Sequence, residues 1–243
     1  MKIAILSLAI GDEYKKVVRY GIRGKKEWCE KQGYTYIDDE KGIVDKTREL
    51  QWAKIPLILK HLPLFDWIVW IDADTHITNF ETKMENLIEA LLIVNPNFQI
   101  SYQKDPHGWI NTGFMLIRGG ESSDFSFSFF EEAYKHTDKI CWEQGAIDFL
   151  YTQNWNDSQS RIFILEHSQG YNQYWFTHRK EDFMIHFAGS ASKDALQKLM
   201  IKFCPFKMEE ESEEEFKIRK NFNTEEEWKK SISNRTHLPM FVF

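Results

Sequence analysis

Phe65-Asp66-Trp67-Ile68-Val69-Trp70-Ile71-Asp72-Ala73-Asp74 reads as a β-strand that runs directly into a pair of carboxylates. From Trp67 to Ile71 every residue is β-branched or aromatic, the types that fill a pleated surface best. An apolar run without polar alternation implies burial on both faces, as in a central parallel strand of an α/β sheet. Such sheets bind ligands beyond the carboxyl ends of their strands. Asp72 and Asp74, two residues apart, point the same way, so both carboxylates face one point there. Two carboxylates suit a hard divalent cation, Mg²⁺ or Mn²⁺, and that cation neutralises a diphosphate.

On the N-terminal side, residues 2–8 form an apolar run of strand length, closed by Gly11-Asp12. It is too short for a signal or membrane segment, and no stretch reaches the ~18 apolar residues that span a bilayer. A helical pattern covers 13–32 and stops at Gly33, where a left-handed cap is expected, followed by a strand at 34–37. Residues 48–61 are helical, with Pro56 predicting a kink or a restart. On the C-terminal side, helices are expected near 84–93, 123–136, 143–152 and 192–202, and strands near 98–102, 114–117, 162–166 and 183–187. Strands alternating with helices predict one layered α/β domain over residues 1–205. An acidic helical extension follows at 206–243. Its Glu209–Glu215 run of six glutamates and one serine is a solvated face, and Phe216, Trp228 and Phe241 would pack back on the domain.

The 243 residues carry 37 acidic and 31 basic side chains, a net charge of −6, which excludes a broad basic surface for polymeric nucleic acid. The three cysteines, Cys29, Cys141 and Cys204, are far apart and odd in number. They match neither a disulfide framework nor a zinc pattern and suit a reducing compartment.

Three further segments carry polar groups at element ends. In Met184-Ile185-His186-Phe187-Ala188-Gly189, His186 would add a nitrogen ligand that favours Mn²⁺, Gly189 would let backbone approach phosphate, and Lys193 would add charge. The alternative is a hydrogen-bonded structural histidine. In Trp109-Ile110-Asn111-Thr112-Gly113-Phe114, amide and hydroxyl groups suit sugar hydroxyls or an ordinary turn. In Trp142-Glu143-Gln144-Gly145-Ala146-Ile147-Asp148, Glu143 or Asp148 is either a helix-start acid or, for Glu143 and Gln144, a group beneath an anomeric carbon.

Taken in order, these pieces resemble the GT34-type glycosyltransferases, which include plant xyloglucan xylosyltransferases, galactomannan galactosyltransferases and fungal Golgi mannosyltransferase subunits. The resemblance covers about residues 3–200. It runs through Gly11-Asp12, Arg23-Gly24-Lys25, Gln32-Gly33-Tyr34, Trp52-Ala53-Lys54-Ile55-Pro56, Trp67 to Asp74, Asn111-Thr112-Gly113-Phe114, Glu143-Gln144 and His186-Phe187-Ala188-Gly189. It implies a GT-A fold: a central mixed sheet flanked by helices. It also implies sugar transfer, with retention of configuration, from a nucleoside-diphosphate donor (a UDP-sugar favoured) to a glycan or glycoconjugate. In that picture Asp72, Asp74 and His186 hold Mn²⁺ or Mg²⁺. Ser7 and Leu8 lie near base and ribose. Lys54, Ala73, Gly189 and Lys193 line the donor, and Asn111, Gly113, Glu143 and Gln144 surround the sugar. Family members usually carry an N-terminal membrane anchor that this sequence lacks, so a cytoplasmic enzyme is expected.

Two rivals remain at this level. Ile71-Asp72-Ala73-Asp74-Thr75 satisfies the nucleophile motif of a HAD-type phosphatase, although that motif normally follows a first strand. A non-catalytic sugar-binding subunit of a glycosyltransferase complex is the other. Tyr171, Tyr174 and Trp175 would then form an acceptor platform or partner face, or simply core.

Overall fold

The computed structural model describes residues 1–39, 41–190, 192–204 and 211–220. In chain order the strands and α-helices are β1 (Ile3–Leu6), α1 (Asp12–Gln32), β2 (Thr35–Ile37), α2 (Lys54–His61), β3 (Trp67–Ile71), β4 (Thr75–Ile77) and α3 (Met84–Val94). Next come β5 (Ile100–Lys104), β6 (Ile110–Arg118), α4 (Asp124–Ala133), α5 (Trp142–Thr152), α6 (Ser158–Arg161) and β7 (Ile162–Leu165). The last are β8 (Gln173–Tyr174), β9 (Met184–His186), α7 (Lys193–Lys202) and α8 (Glu213–Lys220).

All five residues of β3 are buried. Ile68 and Trp70 enter one core with Leu57 and Ile58 of α2, Phe129 and Phe130 of α4, and Ile147 of α5. Trp67, Val69 and Ile71 enter the opposite core with Trp28 of α1 and Leu87 and Ile88 of α3. Helices on both faces explain why the strand lacks polar alternation, and each such side chain contributes about 1.5–3 kcal/mol by leaving water. The main sheet has six strands in the order β2-β1-β3-β6-β5-β7. β3 is parallel to β1 but antiparallel to β6, so the sheet is mixed, as expected for a GT-A fold.

A second sheet, β4-β9-β8, stands at the carboxyl end of β3. Its strands are three, three and two residues long. β4 begins immediately after Asp74 and pairs antiparallel with β9, setting Thr75 opposite His186.

Local sequence signals explain most element ends. Gly33 closes α1 in the left-handed conformation, φ 77°. The helix expected over 48–61 is instead a 3₁₀ turn, Leu50–Ala53, and then α2, with Pro56 in the first turn of α2 where its missing N–H costs nothing. The 109–113 segment is not a turn: β6 starts at Ile110. No helix among the described residues is long and apolar enough to cross a membrane.

Candidate active site

The carboxylates of Asp72 and Asp74 and the imidazole of His186 each offer a ligand atom, all within 4.8 Å of one another. His186 Nε2 stands 3.7 Å from Asp72 Oδ2 and 3.5 Å from Asp74 Oδ1. The β4–β9 ladder makes this convergence: His186 ends β9 opposite Thr75, and the Phe187 N–H donates to the Asp74 carbonyl at 3.0 Å. His186 is buried, while the Asp72 and Asp74 side chains stay 27% and 21% exposed, so the group opens toward solvent on its acidic side. Two carboxylates and one imidazole form a donor set that fits a hard or borderline divalent cation, Mn²⁺ or Mg²⁺. Burial by itself would raise the Asp74 carboxyl. The adjacent His186, its hydrogen bond and the Lys25 ammonium more than offset this and hold Asp74 below the usual carboxylate range.

α1 supports the loop from behind. A side chain at Gly21 would run into the carbonyl oxygens of Thr75 and Ala73, so glycine permits this close approach. One turn later the buried Lys25 donates to the Ala73 and Thr75 carbonyls at 3.1 and 3.2 Å, bracketing Asp74. Lys25, quoted only as part of a motif in the sequence, thus becomes a clamp on the loop. Its pKa is lowered to about 7, chiefly by burial.

A second cluster sits on the α2 and α5 side. Lys54 Nζ lies 3.2 Å from Asp72 Oδ1 and 2.7 Å from Glu143 Oε1, and it donates to the Thr112 carbonyl at 3.1 Å. Burial pulls the Lys54 pKa down, but the two carboxylates override it and hold it above the ordinary lysine value. The Trp70 indole N–H also donates to Asp72 Oδ1 at 2.6 Å. Asp72 therefore spends one oxygen on the protein and turns the other toward His186. Thr112 Oγ1 donates to Glu143 Oε1 at 3.2 Å, and Gln144 Oε1 accepts the Thr112 N–H at 3.2 Å. Glu143 is buried in the first turn of α5, and its Oε2 has no hydrogen-bond partner among the described residues. The turn before it is tight: Cys141 and Trp142 have φ of 65° and 55°, and a side chain at Gly145 would meet the Ile140 carbonyl.

The remaining expected residues fall around this centre. Asn111 and Gly113 lie on β6 behind His186. Asn111 Oδ1 accepts the Gly113 N–H at 2.8 Å, and its Nδ2 donates to the Tyr174 hydroxyl at 3.2 Å. Gly189, φ 70°, is exposed with open space over its Cα, and Lys193 is exposed at the start of α7. Ser7 and Leu8 follow β1. Beside Ser7 a cavity of about 500 Å³ opens between α1 and β2, with Ala9, Lys15, Arg23 and Asp38 also in its walls. None of Asp72, Asp74 and His186 lines it. Of the three expected platform or core aromatics, Trp175 is buried core, while Tyr171 and Tyr174 are half-buried, Tyr171 stacked on Phe114 and Tyr174 edge-on to His186. Asn172, a residue that no sequence motif marked, is buried against His186.

Residues 4–95 match the model of the galactosyl transferase GMA12/MNN10 family. Two crystal structures share the fold. One is a glycosyltransferase involved in glycosylation of the major capsid of PBCV-1, at TM-score 0.65 and 18% identity, covering 82% of this chain and 98% of that one. The other is the apo glycosyltransferase GlyE of Streptococcus pneumoniae TIGR4, at TM-score 0.55 and 13% identity, covering 96% of this chain and 64% of that one. The N-terminal part of the chain is thus similar to a galactosyl transferase family, and the whole shares its fold with two glycosyltransferases. No curated protein matches it by sequence. At these identities the structural likeness establishes the GT-A fold. The family match ends before Asn111, Glu143 and His186, so these later site residues rest on geometry.

Proposed function

We propose that this protein is a glycosyltransferase that moves a sugar from a nucleoside-diphosphate donor, with a UDP-sugar favoured, to a glycan or glycoconjugate acceptor, with retention of configuration. The observation that carries the proposal is the convergence of Asp72, Asp74 and His186 beside the buried Glu143. These three residues would hold Mn²⁺ or Mg²⁺, which when bound supplies Lewis-acid neutralisation of the diphosphate. Asp72 would bind through Oδ2, because Trp70 and Lys54 occupy Oδ1. Ser7 and Leu8 would face the nucleoside, and the cavity that Ser7 lines is of suitable size. Ala73, Gly189 and Lys193 would line the phosphates, with Lys193 reaching in from the α7 terminus. Glu143 and Gln144 would face the sugar, and the unpartnered Glu143 Oε2 would stabilise positive charge at the anomeric carbon. Lys54 would fix Glu143 relative to Asp72. Residues 1–205 would be the catalytic unit. A cytoplasmic setting would suit the three thiols, two of them buried.

Thermal unfolding with UDP, GDP, dTDP or CMP, each with and without Mn²⁺, tests the reading. A nucleotide at ~100 times its Kd adds about 2.7 kcal/mol, a shift on the order of 5–10 °C for a chain of this size. The expected result is a shift with UDP that needs Mn²⁺ and vanishes in Asp74→Ala. No shift with any nucleotide would overturn the donor assignment.

A further inference from the structure

We propose that Asn172 is a positioning residue that keeps the His186 ring proton on Nδ1 and so presents the Nε2 lone pair to the metal; the proposal rests on the metal-site reading above.

The direction of every hydrogen bond follows from one unambiguous donor. The backbone N–H of Gly113 points at the Asn111 side chain at 2.8 Å, so the atom it meets is the carbonyl oxygen Oδ1. That oxygen also lies 2.7 Å from one terminal atom of Asn172, which therefore has to be the donor Nδ2. The other terminal atom of Asn172 is then an acceptor, and it lies 3.0 Å from His186 Nδ1. An acceptor there requires a proton on Nδ1. Nε2 is left as the unprotonated nitrogen of the neutral ring, which is the form that ligates a metal.

This device has something to work against. Asp72 Oδ2 and Asp74 Oδ1 both flank Nε2, and two carboxylate oxygens favour a proton on the nitrogen they face. In the neutral ring that proton would occupy the position a cation needs. The Asn172 oxygen is the competing acceptor on the opposite side of the ring, and the ring has little freedom to turn away. Asn172 itself is held: its N–H donates to Gln103 Oε1 at 2.8 Å, and Gln103 Nε2 donates to the His167 carbonyl at 3.0 Å. Asn172 and Gln103 are buried with no exposed edge for water to substitute. Fully satisfied buried networks of this kind specify one arrangement, and the partners that orient a metal-binding histidine typically contribute 10–100-fold in metal affinity.

Two readouts test it. ¹⁵N NMR of the metal-free wild-type protein, at a pH where the ring is neutral, should show His186 protonated on Nδ1. Mn²⁺ alone, titrated by EPR, should bind Asn172→Leu about 10–100-fold more weakly than wild type, with the His186 proton moved to Nε2. A wild-type ring protonated on Nε2 would overturn the proposal, as would unchanged Mn²⁺ affinity in Asn172→Leu. His186→Ala and Asp74→Ala separate the two levels: if both bind Mn²⁺ as wild type does, the metal-site reading fails. In that case the role of Asn172 in metal binding fails with it. The wild-type NMR measurement requires no variant, so misfolding of Asn172→Leu does not shield the proposal.

Discussion

Gly113 and Glu143 show how single positions set the chemistry. A Cβ at Gly113 would overlap Cε1 of the His186 ring and crowd Asn111 Oδ1 at 2.8 Å, so the glycine exists to seat the imidazole. Gly113→Ala should cost about 1–3 kcal/mol of stability through overpacking and abolish the Mn²⁺-dependent part of the nucleotide shift. Thermal unfolding with and without Mn²⁺ checks this, and an unaltered metal response would show that His186 tolerates the displacement. Glu143→Gln keeps the shape of the side chain while removing its charge. The expected outcome is a fall in kcat of about 100-fold or more, with the Mn²⁺–nucleotide thermal shift retained. Turnover at the wild-type level would take Glu143 out of the chemistry.

At the scale of elements, β4 carries two jobs in three residues. Its ladder with β9 brings His186 to Asp74, and its His76 ties the small sheet to α7, with Nε2–H donating to the Met200 carbonyl at 2.6 Å. Burial pushes the His76 pKa down to about 3. An unfolded histidine titrates near 6.5, so below that pH the unfolded chain takes a proton that the folded chain refuses. Stability from His76 is therefore full above pH 6.5 and is lost as pH falls toward 3, at about 1.4 kcal/mol per pH unit. Between pH 6.5 and 5.0 that amounts to about 2 kcal/mol. Urea unfolding at the two pH values should show His76→Gln losing about 2 kcal/mol less than wild type. Identical losses would place the acid sensitivity elsewhere.

Across the whole molecule, the acidic extension meets the domain through α8. Ile218 packs on Tyr20, Ile201 and Cys204, and Glu215 pairs with Arg19 of α1. Phe216, expected to pack inward, is 40% exposed, and Trp228 and Phe241 lie outside the described residues. Removing residues 206–243 should lower stability by about 2–3 kcal/mol, from the lost apolar burial and ion pair, while leaving the metal-dependent nucleotide shift in place. Loss of that shift on truncation would make the extension part of the donor site rather than a brace behind α1.

Much of the architecture is legible in residues 65–74, because burial on two faces leaves a run of apolar residues that no solvated element would carry. Gly33, Pro56 and the i, i+2 aspartates are legible for the same reason: each reports a local constraint on backbone or side-chain direction. Strands β4 and β8 are too short to show periodicity, and Asn172 stands between Tyr171 and Gln173 in no pattern at all. Its part in the site exists because β8 and β9 pair and bring it against His186. The same holds for Lys25, whose ammonium finds the Ala73 and Thr75 carbonyls only after α1 docks. Periodicity and capping are written along the chain because each depends on near neighbours. Hydrogen-bond direction and ligand convergence depend on distances between residues far apart in sequence, and those distances do not exist until the sheets have formed.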